Sequence, residues 1–374
     1  MDNASPKNTM ADTERKPLKD IFDEKRFELI AKDAAVVCRS FDVERFLAVG
    51  LQDHAQLTLL QRLRRVSMAL RSTLPADYPE ALDILIKLSS RTEKGFVSLF
   101  LPDFVGQYGR DNFELSMHAL KLFTKLGSSE FAVREFLRSD LASTLSVMRD
   151  WSEDEDEHVR RLASEGSRPR LPWSFKLQAI IDDPGLTLPI LVNLAHDPIL
   201  YVRKSVANHL NDVSKDHPEW LLDTMERWPR DHPYPAWIAR HALRSLVKAG
   251  HPRALLQVGA SSQVDMAVPL FDVTPERLSL GETLTLSVTL QSTSDHPQRL
   301  VVDYRLHYVK KGGSTSAKVF KMKELTLQPH ERISLMRRQL IKDFTTRTHY
   351  CGAHLVELIV NGESLAQSRF ELCN

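Results

Sequence analysis

Residues 113–127, FELSMHALKLFTKLG, and residues 237–250, WIARHALRSLVKAG, share the order HAL-x-x-hydrophobic-x-K-x-G. Each places apolar side chains at three- and four-residue steps and stops at glycine, the pattern of an amphipathic helix. Working outward, the same spacing recurs in PEALDILIKLSS (79–90), LPILVNLAHD (188–197) and EWLLDTMERW (219–228), with Pro and Gly at the joins. Val159-Arg160 and Val202-Arg203 recur 43 residues apart, and Arg203 to Arg240 adds a step of 37. Steps of about 40 residues per helical unit are those of HEAT-like solenoids, where each helix pair buries one face on its neighbours. The expectation is a helical-repeat solenoid over residues 18–260, the alternative being a non-repetitive helical bundle.

The texture changes near residue 261. FDVTPERLSLGETLTLSVTLQSTS (271–294), QRLVVDYRLHYVKK (298–311), KVFKMKELTLQPHERISLMRRQL (318–340) and HLVELIVNGESLAQSRFEL (354–372) alternate in twos and break at Gly312-Gly313 and Asn361-Gly362. Six or seven short strands predict an immunoglobulin-like β-sandwich over 261–374, one that contains no Trp. Residues 1–17 lack apolar periodicity and are expected to be a disordered tail. The fold class is thus mainly α, with an all-β domain at the C-terminal end.

The formal net charge of +1 favours neither nucleic acid nor membrane in bulk, since residues 262–374 hold 14 basic and 12 acidic side chains of the chain's 50 and 49. Any affinity for a polyanion must come from a local patch. No apolar run approaches the ~20 residues that span a bilayer, and the polar start MDNASPKNTMADTERKPLKD does not read as a signal peptide. A cytoplasmic protein is expected. Cys38, Cys351 and Cys373 form no CxxC pair and lie outside any ligand-like spacing, so reduced structural cysteines and no metal are expected.

Chemistry concentrates in two tracts, HVRRLASEGSRPRLPW (158–173) and YVRKSVANHLNDVSKDHP (201–218). In the first, a helix over 156–166 ended by Gly166 would put Glu165 in its last turn, where the macrodipole disfavours a carboxylate. Arg160, Arg161, Arg168 and Arg170 would then compensate it. Pro169 and Pro172 should stiffen the following segment and hold Arg168, Arg170 and Trp173 out on extended backbone, suited to phosphate and sugar contact. A surface Glu165 among solvated arginines, and Trp173 as a plug between repeats, are the plain alternatives. In the second tract, Asn208 and Asp212 would project side by side from the helix bearing Arg203, with a Lys215 salt bridge as the structural alternative for Asp212. His209 reads as a capping or surface group.

These segments, together with SSEFAVREFL (128–137) and RKSVANHLNDVSKDHPEWLL (203–222), closely resemble the signature stretches of the AlkC-type bacterial DNA glycosylases, relatives of AlkD among the HEAT-like-repeat alkylpurine glycosylases. The resemblance covers residues 18–260, and one branch of the family carries a C-terminal immunoglobulin-like domain. It implies excision of cationic alkylated bases, 3-methyladenine and 3-methylcytosine, from double-stranded DNA by a monomeric, nucleoid-associated bacterial enzyme without cofactor. It also implies Glu165 and Asp212 as catalytic acids, with Trp173, Glu130 and Arg161 at the lesion site. Arg168, Arg170, Arg203 and Asn208 are expected to contact DNA, as are Lys310 and Lys311 on a hairpin whose lysines would alternatively protect an edge strand. A non-catalytic scaffold binding DNA or a protein through the same face is the rival reading. A Schiff-base lyase is disfavoured, since no Lys stands in an apolar context.

Overall fold

The computed structural model describes residues 17–230, 232–344 and 347–373. The tail expected over residues 1–17 falls, apart from Pro17, outside them. Sixteen α-helices among the described residues precede eight strands, so the helical-repeat region followed by an immunoglobulin-like domain is the architecture found. The chain forms two compact units, Met1–Ser205 and Val206–Asn374. The last helices therefore share a compact unit with the sandwich, and the units part at a different place from the change of texture near 261.

In the first unit, aspartates start helix after helix. The side chains of Asp23, Asp42, Asp77, Asp140 and Asp156 each accept a backbone N–H of the first turn, satisfying donors that a helix leaves without intrahelical partners. Phe22, Phe27, Phe46, Phe100, Phe104, Phe123 and Phe136 fill the core at 1% exposure or less. Two glycines set how closely the site-bearing helices approach. A Cβ on Gly106 would lie 3.1 Å from the backbone of Ala132, and one on Gly166 would lie 2.5 Å from Val133 Cγ1. Gly166 thus ends the helix Glu157–Gly166 where only a residue without a side chain fits beside the helix Glu130–Ser139.

In the second unit, Pro218, Pro233 and Pro252 each open a short helix; a first-turn position needs no N–H donor. The strands are β1 (Met266–Thr274), β2 (Arg277–Ser279), β3 (Thr283–Ser292), β4 (Gln298–Val309), β5 (Thr315–Leu327), β6 (Arg332–Leu340), β7 (Gly352–Val360) and β8 (Glu363–Cys373). They make a three-stranded sheet, β1-β3-β6, and a five-stranded sheet, β2-β8-β7-β4-β5. All pairs are antiparallel except β2 with β8. The three-residue β2, too short to alternate visibly, takes the count beyond the six or seven expected.

Leu284, Leu286, Val288 and Leu290 alternate inward from β3 and join Val302, Tyr304, Leu306, Val356, Leu358 and Phe370 in the sandwich core. Tyr304, stacked on Phe320 at 5.2 Å, keeps its hydroxyl on Gln339 Oε1 at 2.7 Å. A buried Tyr thus fills core volume while its polar end stays bonded. Asn361 and Gly362, at φ 46° and 86°, form the two-residue turn between β7 and β8, as their sequence predicts. Cys38 is buried, whereas Cys373 is half-buried and Cys351 exposed; the expectation of structural cysteines holds for the first and fails for the last, which contributes no core volume. No helix among the described residues is long and apolar enough to cross a membrane.

Candidate active site

Glu165 occupies the last turn of its helix, as expected, but it is buried at 6% exposure. Its Oε1 accepts from Arg168 Nη1 at 2.7 Å and lies 3.5 Å from Arg161 Nη2. Its Oε2 accepts from Ser205 Oγ at 2.6 Å, and that hydroxyl lies 3.1 Å from Ser164 Oγ. Burial pushes the Glu165 carboxyl upward, but Arg161 and Arg168, with the Ser205 hydroxyl, outweigh it and hold the group below its ordinary value. A buried and ionised carboxylate results.

Arg161 is shared. Its Nη1 is ion-paired with Glu130 Oε2 and donates to Ser128 Oγ at 3.0 Å, and its guanidinium lies 5.1 Å above the Tyr201 ring. Burial works against its charge, yet Glu130 and Glu165 more than offset that, so its proton is held more tightly than usual. Glu130 is the first residue of its helix, a place the macrodipole favours for an acid.

Around this network lies a cavity of about 470 Å³ lined by Phe96, Glu130, Arg161, Glu165, Arg168, Trp173 and Tyr201, among others. Trp173 is 64% exposed, with its ring edge-on to Phe96 at 6.5 Å. It also borders a second cavity of about 190 Å³ lined by Leu60, Leu63, Phe131 and Phe175.

Several sequence expectations need correction. The segment after Gly166 runs through turns rather than extended backbone, and Trp173 takes φ 65°, so the prolines do not hold three side chains outward. Arg168 is 8% exposed because Glu165 draws it in, while Arg170 is half-buried. Arg160 serves Asp197, at 2.6 Å, instead of Glu165. Arg203 is 9% exposed and donates to the Asp197 carbonyl at 2.7 Å; its guanidinium faces protein rather than solvent. His209 is fully buried, not at the surface.

In the second unit, Asp212 is 4% exposed and paired with Lys215 at 3.1 Å, the salt bridge weighed as its structural alternative. Asn208 Oδ1 accepts from Arg244 at 3.0 Å. Lys310 and Lys311 are exposed in the tight turn between β4 and β5, where Lys310 N donates to Ser314 O at 2.8 Å; β5 is a sheet edge.

Residues 113–246 match the family described as DNA alkylation repair enzyme, and residues 267–374 match the C-terminal Ig-like domain of the uncharacterised protein YhaZ. YhaZ of Bacillus subtilis is 42% identical over 359 residues, spanning 95% of this chain and 99% of its own. The alkylpurine DNA glycosylase AlkC of Pseudomonas fluorescens, solved bound to DNA containing an abasic site analogue, is 51% identical. It covers 96% of this chain and 99% of that one at a TM-score of 0.93.

The chain belongs to the AlkC-type DNA glycosylase family. Within this AlkC-type chain, Phe96, Ser128 and Tyr201 line the site without a sequence signal, and two further residues support it. Ser205 holds Glu165 from 40 residues away. Arg134, fully buried, donates through Nη1 to the carbonyls of Gly166 and Arg168 at 3.0 and 2.6 Å, and through Nη2 to that of Phe175. The signal for Arg134 was present: a cation at a position where the helix pattern calls for an apolar residue.

Proposed function

We propose that the protein is a monofunctional DNA glycosylase, acting as a monomer on cationic alkylated bases, chiefly 3-methyladenine and 3-methylcytosine, in double-stranded DNA. The observation that carries this reading is the state of Glu165: a carboxylate in a cavity, ionised despite burial, with Trp173 exposed at the rim.

An alkylated ring nitrogen makes the base a cation, so the C1′–N bond breaks with its electron pair returning to the base, which leaves neutral. No strong general acid is needed. The developing charge is on the sugar, an oxocarbenium-like centre, and a fixed carboxylate stabilises it more effectively than water, because it is already oriented. Each carboxylate oxygen can accept two hydrogen bonds, and Oε2 of Glu165 takes one from Ser205. Its remaining lone pair suits a water aimed at C1′, whose proton passes to the carboxylate and then to solvent.

Trp173 would stack on the lesion nucleotide or its neighbour. Arg161 and Glu130 hold the carboxylate in place, and Asp212 is assigned as the second, assisting acid, in line with the family motif in which it stands. Selection would rest on the lability of the cationic base rather than on extrusion into a closed pocket, which costs a few kcal/mol of unstacking. Lys310 and Lys311 would add salt-dependent contacts to phosphate.

Mass-resolved detection of free bases released from randomly methylated duplex DNA tests this. The native chain should release 3-methylated bases and folded Glu165→Gln should not. Release from neither would favour a scaffold that binds DNA or protein through the same face.

A further inference from the structure

We infer that Arg134 is a positioning residue for base release: it ties together the loop that brings Arg168 to Glu165 and sets Trp173 at the cavity rim. This rests on the proposed reading of Glu165 as the catalytic carboxylate.

A guanidinium is a poor filler for a buried site. Removing its charge from water is costly, and an apolar side chain of similar length would fill the volume without that cost. What a guanidinium adds is a rigid planar fork of five donors. Here the fork is spent on backbone carbonyls at both ends of one segment: Gly166 and Arg168 at the start, Phe175 at the end. Its plane also lies 5.3 Å from the Phe175 ring, which Arg138 approaches from 4.7 Å.

The segment between those ends has little regular structure to hold it. Residues 167–177 contain neither helix nor strand, and the backbone bonds across them are those of Ser174 N to Leu171 O at 3.3 Å and Leu177 N to Pro169 O at 3.1 Å. Within it Trp173 adopts φ 65°, a left-handed conformation that bulky residues rarely take and that persists only when the surroundings impose it. Arg168, whose carbonyl accepts from Arg134 at 2.6 Å, is also the residue whose side chain meets Glu165 at 2.7 Å. Arg134 does not itself line the cavity and meets it through the backbone of Arg168, so its influence runs through Arg168 and Trp173.

The test compares the full-length native chain with Arg134→Lys, Arg134→Met and Trp173→Ala, each checked for fold by circular dichroism and melting. Single-turnover base release from methylated duplex DNA is measured across pH, beside affinity for duplex containing an abasic-site analogue. Misplacing supporting groups lowers activity on the order of 10- to 100-fold. Arg134→Met should therefore release bases that much more slowly while duplex affinity changes little. Its acid limb should move to higher pH, because Arg168 no longer registers on Glu165 as well; Arg161, Ser205, Glu130 and Tyr201 around the carboxylate are unaltered. Arg134→Lys, able to reach fewer carbonyls, should recover part of the rate.

A rate that falls only with the folded fraction, with the acid limb unmoved, would overturn the inference and leave Arg134 a structural group. If Arg134→Met does not fold, Arg134→Lys combined with Trp173→Ala decides. Losses smaller together than their sum in free energy support action through the loop, and additive losses refute it. Glu165→Gln run in parallel separates the two claims: its retention of base release would sink the reading of Glu165 itself, whatever Arg134 does.

Discussion

Arg161 and Glu165, four residues apart on one helix, face each other at 3.5 Å while Glu130 holds the arginine's other terminal nitrogen. The arginine is thereby fixed between two acids, and Glu165 keeps its charge in a place where burial alone would remove it.

Glu165→Gln should destabilise the chain at neutral pH by about 3 kcal/mol, the usual loss when one partner is taken from a buried ion pair. The folded carboxyl lies below its ordinary value of 4.5. Its contribution is therefore complete above pH 4.5 and is lost as pH falls through the folded value. Melting of both chains at pH 7 and pH 4 should show the gap closing in acid; a gap that stays constant would mean the carboxylate is not held down.

Trp173 is mostly solvent-exposed, so Trp173→Gly should leave stability within about 1 kcal/mol, and glycine accepts φ 65° without penalty. Base release should nevertheless drop by roughly tenfold or more if the ring stacks on the lesion strand. Equal rates for the two chains would remove Trp173 from the substrate contact.

Arg168→Ala and the pair Lys310→Ala/Lys311→Ala should separate two kinds of cation. Arg168 is spent on Glu165, so its loss should slow base release and leave the salt dependence of duplex binding unchanged. Each lysine that meets a phosphate accounts for about 0.9 in the slope of log K against log salt. The double variant should lower that slope by one to two, and an unchanged slope would place both lysines away from DNA.

Asp303, at the bulge of β4, is 5% exposed and lines a cavity of about 240 Å³ with Arg244, Lys248 and Lys321. Burial raises its carboxyl from 3.8 to about 6 despite Lys321 and Lys248. Between those values the native state holds the proton that the unfolded chain has lost, so stability declines as pH rises through the window. Asp303→Asn should match the native chain near pH 3.5 and exceed it by about 2–3 kcal/mol at pH 7.5. Denaturant midpoints at the two pH values check this.

Periodicity made the two textures legible, and Glu165 stood out because an acid in a helix's last turn is electrostatically misplaced. What local sequence could not carry was partnership across the fold. Ser205 and Arg134 act on groups 30 to 40 residues away; a cation at an apolar helical position marks Arg134, but nothing local names the partners of either. Arg168 reads as a loop cation until its carboxylate partner is placed. The proline-bearing segment departs from an extended path for a related reason: a fixed φ at Pro169 and Pro172 constrains two residues, while the path between them is set by what Arg134 holds. Likewise, alternation locates the sandwich, yet the helices that follow Ser205 join it in one compact unit, which local texture does not show.

Gly250 and Gly362 meet backbone to backbone: a Cβ on the first would lie 3.0 Å from the Cα of the second. The turn that precedes the last strand thus packs on the link between the helices Arg244–Lys248 and Pro252–Gln257. A ribosome adds roughly 5–20 residues per second, so the hundred or so residues between the two glycines take on the order of 5–20 seconds to emerge. For that interval the link at Gly250 lacks the neighbour it has in the folded chain, and this contact forms only once the turn before β8 has been made.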